Sequence, residues 1–165
     1  MRRRIDAYLE SLVEPERFAF YQAVCEFAEH EIAPELLTWE RQLCLLPEKA
    51  IRAIAELGLF GLTVAEEYGG QGGTQMDLVL MGLALGYHSQ SVAITPGAAA
   101  SLGIKPLQLC GREDQKRDHL PDLAAGKRMF VFGLSEPGRG SDAANPEVRA
   151  TRIAGASDAF SGRRP

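Results

Sequence analysis

Cysteine is scarce in this chain. Cys25, Cys44 and Cys110 are the only three in 165 residues, an odd number without Cys-x-x-Cys spacing, which argues against a disulfide framework. Histidine is equally rare, with three residues and no ligand-like cluster, so no metal site is expected. Long apolar runs are missing too. The longest, near residues 78–85, falls far short of the roughly 20 residues that cross a bilayer, so no membrane span is expected. There is no basic excess: the formal net charge is −4, which gives no electrostatic case for nucleic acid. The opening "MRRR" runs at once into the acidic "IDAYLESLVEPE" rather than an apolar core, so neither a signal nor a transit peptide is expected. Together these absences predict a cytoplasmic protein whose cysteines are small core residues in a reducing compartment.

What is present is an ordinary globular balance, 45% hydrophobic and 24% charged. A chain of this length can bury roughly 70% of its unfolded surface and needs no staple. The charge is uneven: residues 1–138 hold 13 basic and 19 acidic side chains, and residues 139–165 hold 5 and 3.

The first three quarters read as helices. "PERFAFYQAVCEFAEHEIAP" sets Phe20, Val24, Phe27 and Ile32 at steps of three to five, an amphipathic helix expected to stop at Pro34. "PEKAIRAIAELG" starts with Pro47 in a first turn, carries Ile51, Ile54 and Leu57 on one face, and ends at Gly58. "TQMDLVLMGLALGYHS" opens with Thr74 and Asp77, a capping-box-like pair, and is then apolar nearly all round, as a helix buried between others would be. The glycines at 69–70 and 72–73 mark a loop between these two helices. "VAITPGAAASLG" is a weaker helix because of Pro96. "PLQLCG" gives one or two turns closed by Gly111. "REDQKRDHLPDLAAG" gives a charged helix that ends before Pro121 or turns to Gly126.

The character then changes. "RMFVFGLS" is apolar on both faces and reads as a buried strand, and "EVRATRIAG" alternates as a half-exposed second strand. Between them lies "SEPGRGSD". Gly138 and Gly140 permit positive φ and close approach, and Pro137 stiffens the turn. The loop is either a plain inter-strand turn or a binding loop for a phosphate or the edge of a planar cofactor. It lacks both the P-loop ending and the Rossmann spacing. Glu136 reads as a solvated turn carboxylate or a partner of Arg139 rather than a general base.

Three blocks in order resemble the acyl-CoA dehydrogenase family over about residues 15–153. "GLSEPGRGSD" resembles its flavin-binding signature, and "GLFGLTVAEEYGGQGGTQMD" its glycine-rich loop. The segment from "SLGIKPLQLC" through "GREDQKRDHLPDL" resembles the stretch that precedes the signature. The resemblance implies a mainly α fold: a helical N-terminal domain at 1–125, the opening of a middle β-barrel-like domain at 126–155, and an irregular tail at 156–165. It implies FAD-dependent α,β-dehydrogenation of an acyl-CoA thioester, with an electron-transfer flavoprotein or another acceptor as partner and a homo-oligomer for full-length members. By position, Phe132, Gly133, Leu134, Ser135, Gly140 and Ser141 would contact FAD. Ser141, Thr95 and Gly97 would contact the acyl-CoA.

Two residues depart from the signature: Arg139 stands where a small residue is usual, with a CoA phosphate or solvent as its expected neighbour, and Asn145 where a small residue closes it. The family's general base lies in a C-terminal domain, so no residue here is expected to be catalytic, and the chain is expected to be truncated and inactive alone. Two other readings stay open: a helical module that binds a partner, and a decayed remnant of such an enzyme.

Overall fold

The computed structural model describes residues 2–42, 46–131, 133–152 and 160–163. The chain divides into two compact units, Met1–Val131 and Phe132–Pro165.

The first unit is helical. α1 (Arg2–Glu10) leads into α2 (Pro15–Phe27), which continues through a π turn at Ala28–Ile32 into α3 (Ala33–Gln42). The expected stop at Pro34 does not occur. The Ala33 N–H reaches back five residues to the Ala28 carbonyl. That wider turn shifts the hydrogen-bond ladder by one residue just where a proline, lacking an N–H and crowding the preceding turn, would break an α-helix. The device recurs downstream. α6 (Gln90–Ala98) runs through a π turn at Ala99–Ile104 into α7 (Lys105–Cys110), where the Lys105 N–H bonds the Ala100 carbonyl and Pro106 follows. Pro96 and Pro121 also sit inside helices, the latter within α8 (Glu113–Ala124). Pro96 is buried within α6.

α4 (Glu48–Glu56) and α5 (Gln75–Gly86) flank the glycine loop. Its chain folds back on itself: Gln71 N–H bonds the Gly61 carbonyl at 3.0 Å, Gly72 N–H the Val64 carbonyl and Gly73 N–H the Leu62 carbonyl, both at 2.8 Å. At Gly70 a Cβ would lie 2.1 Å from the Val64 carbonyl oxygen, so only glycine allows this approach. A 3₁₀ turn at Glu66–Tyr68 is tied to α8 by the Tyr68 hydroxyl, which donates to Glu113 at 3.0 Å. Just beyond α8, Gly126 takes a φ of 66°. There a Cβ would come within 2.8 Å of Ala55 and Phe60.

The main core gathers Val24, Ile32, Ile54, Phe60, Leu80 and Leu85, all essentially without solvent contact. A smaller one joins Val64, Ile104, Leu120 and Leu123. α5 differs from expectation. It buries Leu80, Met81, Ala84 and Leu85 against α2 and α6, but its apolar back is open, with Val79 55% and Leu83 45% exposed between Met76 and Tyr87. Its apolar composition reflects two faces, of which this unit covers one.

In the second unit, β1 (Arg149–Arg152) pairs antiparallel with β2 (Phe160–Arg163), Arg149 opposite Arg163 and Arg152 opposite Phe160. The second strand falls in the tail expected to be irregular; pairing with β1 supplies the order that its residue pattern does not signal. The buried strand expected at 128–135 is absent among the described residues. Met129, Phe130 and Leu134 are exposed and Val131 is 93% so, because no described strand offers this stretch a ladder.

Candidate functional site

The loop from Ser135 to Val148 is closed by its own polar groups. Glu136 and Arg139 exchange both main-chain hydrogen bonds, 3.1 Å from the Glu136 N–H and 2.9 Å from the Arg139 N–H, which forms a tight turn over Pro137 and Gly138. The Glu136 carboxylate then spans the loop. One oxygen accepts the Glu147 backbone N–H at 2.8 Å, and the other accepts the Val148 N–H at 3.0 Å. This corrects the expectation of a solvated turn carboxylate: Glu136 is half-buried and acts as a clamp on main chain. A carboxylate given to backbone donors is a strong, charge-assisted acceptor, and as a clamp it has no call to act as a base.

Arg139 supplies a second tie. Its guanidinium donates to Glu147 at 3.1 Å through Nε and to Asp142 at 2.7 Å through a terminal nitrogen. Asn145 donates to the other Asp142 oxygen at 2.6 Å. The two departures from the family pattern therefore have a structural role here. Arg139 meets two carboxylates instead of open solvent, and Asn145 completes the same cluster.

These ties leave Ser135, Gly140 and Ser141 unengaged by side chains. Ser135, Gly140 and Ser141 are exposed, and among the described residues neither serine hydroxyl has a hydrogen-bond partner. The expected positive φ at Gly138 and Gly140 is not found; among the described glycines it occurs at Gly58, Gly69, Gly72 and Gly126. Nothing lies within 4 Å of where a Cβ would stand at Gly133 or Gly140. Protein packing therefore does not require glycine at either position, and both leave main chain open to a flat ligand. Two hydroxyls, two bare glycines and the exposed Leu134 suit the polar edge and apolar face of a flavin ring. Phe132 lies outside the described residues.

Thr95 and Gly97 sit in α6 of the first unit. The Thr95 hydroxyl donates to the Ser91 carbonyl at 3.0 Å, and a Cβ at Gly97 would meet nothing within 4 Å. The same unit carries a recess of about 350 Å³ whose floor includes Phe20, Val24, Leu57 and Leu62. Arg17 on its rim donates to Asp77 at 3.2 Å. Burial raises the Asp77 pKa, but hydrogen bonds from the Thr74 backbone and hydroxyl and the nearby Arg17 outweigh it and hold the carboxyl below its usual value. Among the described residues no helix is long and apolar enough to cross a membrane.

The profile described as "Acyl-CoA dehydrogenase, N-terminal domain" matches residues 14–127. Among curated proteins, the probable acyl-CoA dehydrogenase YngJ of Bacillus subtilis is 39% identical over 129 residues, 78% of this chain and 34% of that protein. The subunit CarC of the caffeyl-CoA reductase–Etf complex of Acetobacterium woodii is 32% identical over 118 residues, 72% of this chain and 31% of its own. The crystal structure of an acyl-CoA dehydrogenase complexed with FAD from Bacillus anthracis superposes with a TM-score of 0.74 at 33% identity, covering 86% of this chain and 24% of that one. The chain thus spans about a third of the length of these curated relatives.

Proposed function

The chain belongs to the acyl-CoA dehydrogenase family, and from that premise we propose that it carries the helical wall and the flavin-edge loop of a FAD-dependent α,β-dehydrogenation of an acyl-CoA thioester. The observation that carries this reading is the 135–148 loop, closed by its own side chains, with the hydroxyls of Ser135 and Ser141 unpartnered and Gly140, like Gly133 just before the loop, open. FAD, when bound, supplies the acceptor for the hydride leaving the β carbon.

The chain's own residues bind and orient. Leu134 and Ser135, together with Phe132 outside the described residues, would lie along the ring, and Gly133 would contact the cofactor. Ser135 offers its N–H and hydroxyl to the polar edge, where preorganised donors favour negative charge. Gly140 lets main chain come close to the cofactor. Ser141 reaches the cofactor and the CoA end of the substrate, while Thr95 and Gly97 line the acyl channel. No residue among these 165 is assigned as general base. The 165-residue polypeptide taken alone is therefore proposed to have little or no turnover and to hold FAD weakly.

The electron acceptor we propose is an electron-transfer flavoprotein, in line with a relative named as a subunit of an Etf complex. The complete assembly would be a cytoplasmic homo-oligomer working in fatty-acid metabolism. The test is purification of the polypeptide, its flavin absorbance after gel filtration, and acyl-CoA turnover with an artificial acceptor. A colourless, inactive chain agrees; a yellow, active one contradicts the proposed weakness.

A second reading is favoured by the open apolar back of α5 and the recess beside Arg17. In it the chain is a non-catalytic helical module covered by another polypeptide. Co-purification of a stoichiometric partner that supplies a base glutamate would select it.

A further inference from the structure

We infer that Glu136 is a positioning residue, holding the loop in the shape that leaves the Ser135 and Ser141 hydroxyls exposed and free of protein partners among the described residues. The inference rests on reading that loop as a flavin-edge element and adds to it the group that sets its geometry.

The argument starts from accounting for polar groups. A stretch of fourteen residues without helix or strand has few backbone partners of its own, and its ordering entropy must be offset by fixed contacts. Here three ties supply them. The main-chain pair between Glu136 and Arg139 makes the first turn. The Glu136 carboxylate accepts two successive N–H groups, from Glu147 and Val148, eleven and twelve residues away. The Arg139 fork joins Glu147 to Asp142.

Two acceptor oxygens on two neighbouring donors fix both the distance across the loop and the orientation of the segment that enters β1. Ser135 is the residue directly before the clamp. Gly140 and Ser141 lie between Arg139 and Asp142, the two ends of its ion pair. The ties engage Glu136, Arg139, Asp142, Asn145 and Glu147 and leave the Ser135 and Ser141 hydroxyls without a protein partner among the described residues.

Replacement by alanine removes both acceptors. Replacement by glutamine keeps one oxygen and sets an NH₂ group against the second N–H, two donors facing each other. The variants therefore have a predicted order.

The experiment uses the whole 165-residue chain, ¹⁵N-labelled, without and with millimolar FAD, in wild type, Glu136→Gln and Glu136→Ala. Without FAD, the Glu147 and Val148 amides of the wild type resonate downfield and exchange slowly. Exchange quickens by about tenfold or more in Glu136→Ala, and Glu136→Gln lies between. With FAD, the amides of Ser135, Gly140 and Ser141 move in the wild type, and their apparent affinity weakens by about tenfold in Glu136→Ala, with partial rescue in Glu136→Gln. The far-UV helical signal stays the same in all three, which separates a local effect from unfolding.

Unchanged Glu147 and Val148 amides in Glu136→Ala would show that the clamp does not exist. A changed pair of amides with an unchanged FAD response would show that the clamp does not position the loop for cofactor. An intact clamp in a wild type that ignores FAD would overturn both the flavin reading and the positioning role. These results are distinguishable by which set of amides moves.

Discussion

Asp77 caps α5 with one carboxylate oxygen that accepts both the Thr74 backbone N–H at 2.6 Å and the Thr74 hydroxyl at 2.7 Å, while its other oxygen takes Arg17 of α2. One side chain thus starts a helix and ties it to its neighbour. Loss of such a cap costs about 1 kcal/mol, so Thr74→Ala should lower stability by about that much in urea unfolding. The pH effect has a definite sign. Because the folded-state pKa of Asp77 lies below the 3.8 of the unfolded chain, its contribution is fully present above that value and is lost as pH falls through the lower folded one. The stability gap between wild type and Asp77→Asn should therefore narrow below about pH 4; a gap constant through that window would contradict the assignment. Gly70 is the steric counterpart. Gly70→Ala would drive a Cβ into the Val64 carbonyl and should cost about 3 kcal/mol by the same assay. The Thr74–Asp77 pair was legible in the sequence because capping uses residues three apart. The Glu136 clamp was not, because its partners are main-chain N–H groups that any residue would provide.

Among the elements, α5 carries the clearest contrast. Leu80 is fully buried, whereas Leu83, three residues on, is 45% exposed at the margin of the open side. Leu80→Ala should cost about 2–5 kcal/mol. Leu83→Gln should change stability by no more than about 0.5 kcal/mol in the isolated chain. Equal losses at both sites would mean that the back of α5 is covered in solution. The sequence pattern revealed α5 as a helix but read apolar residues all round as burial all round. Proline misled differently. Pro34, Pro96 and Pro121 each suggested a break or a weakness, on the assumption that the ladder is strictly α. The π turn at Ala28–Ile32 removes that assumption before Pro34, and the one at Ala99–Ile104 does the same before Pro106. No residue type marks a π turn in advance. The stretch at 128–135 is not a strand among its described residues for a related reason: its apolar pattern is right, but a strand exists only with a partner.

At the scale of the whole molecule, the helical character of the first 125 residues was legible from periodicity, and the family from three blocks in order. The proposed lack of turnover by the 165 residues alone rests on what they hold, a loop closed by its own side chains and a set of helices, with no residue assigned as base. The matched stretch makes up about a third of the curated relatives, which carry further chain outside it. The most direct test is to add excess FAD to the purified polypeptide, remove free flavin by gel filtration, and assay acyl-CoA oxidation with an artificial acceptor. The account predicts a protein peak with little flavin absorbance and no turnover above buffer. A peak carrying one flavin per chain, with steady substrate-dependent reduction of the acceptor, would contradict it.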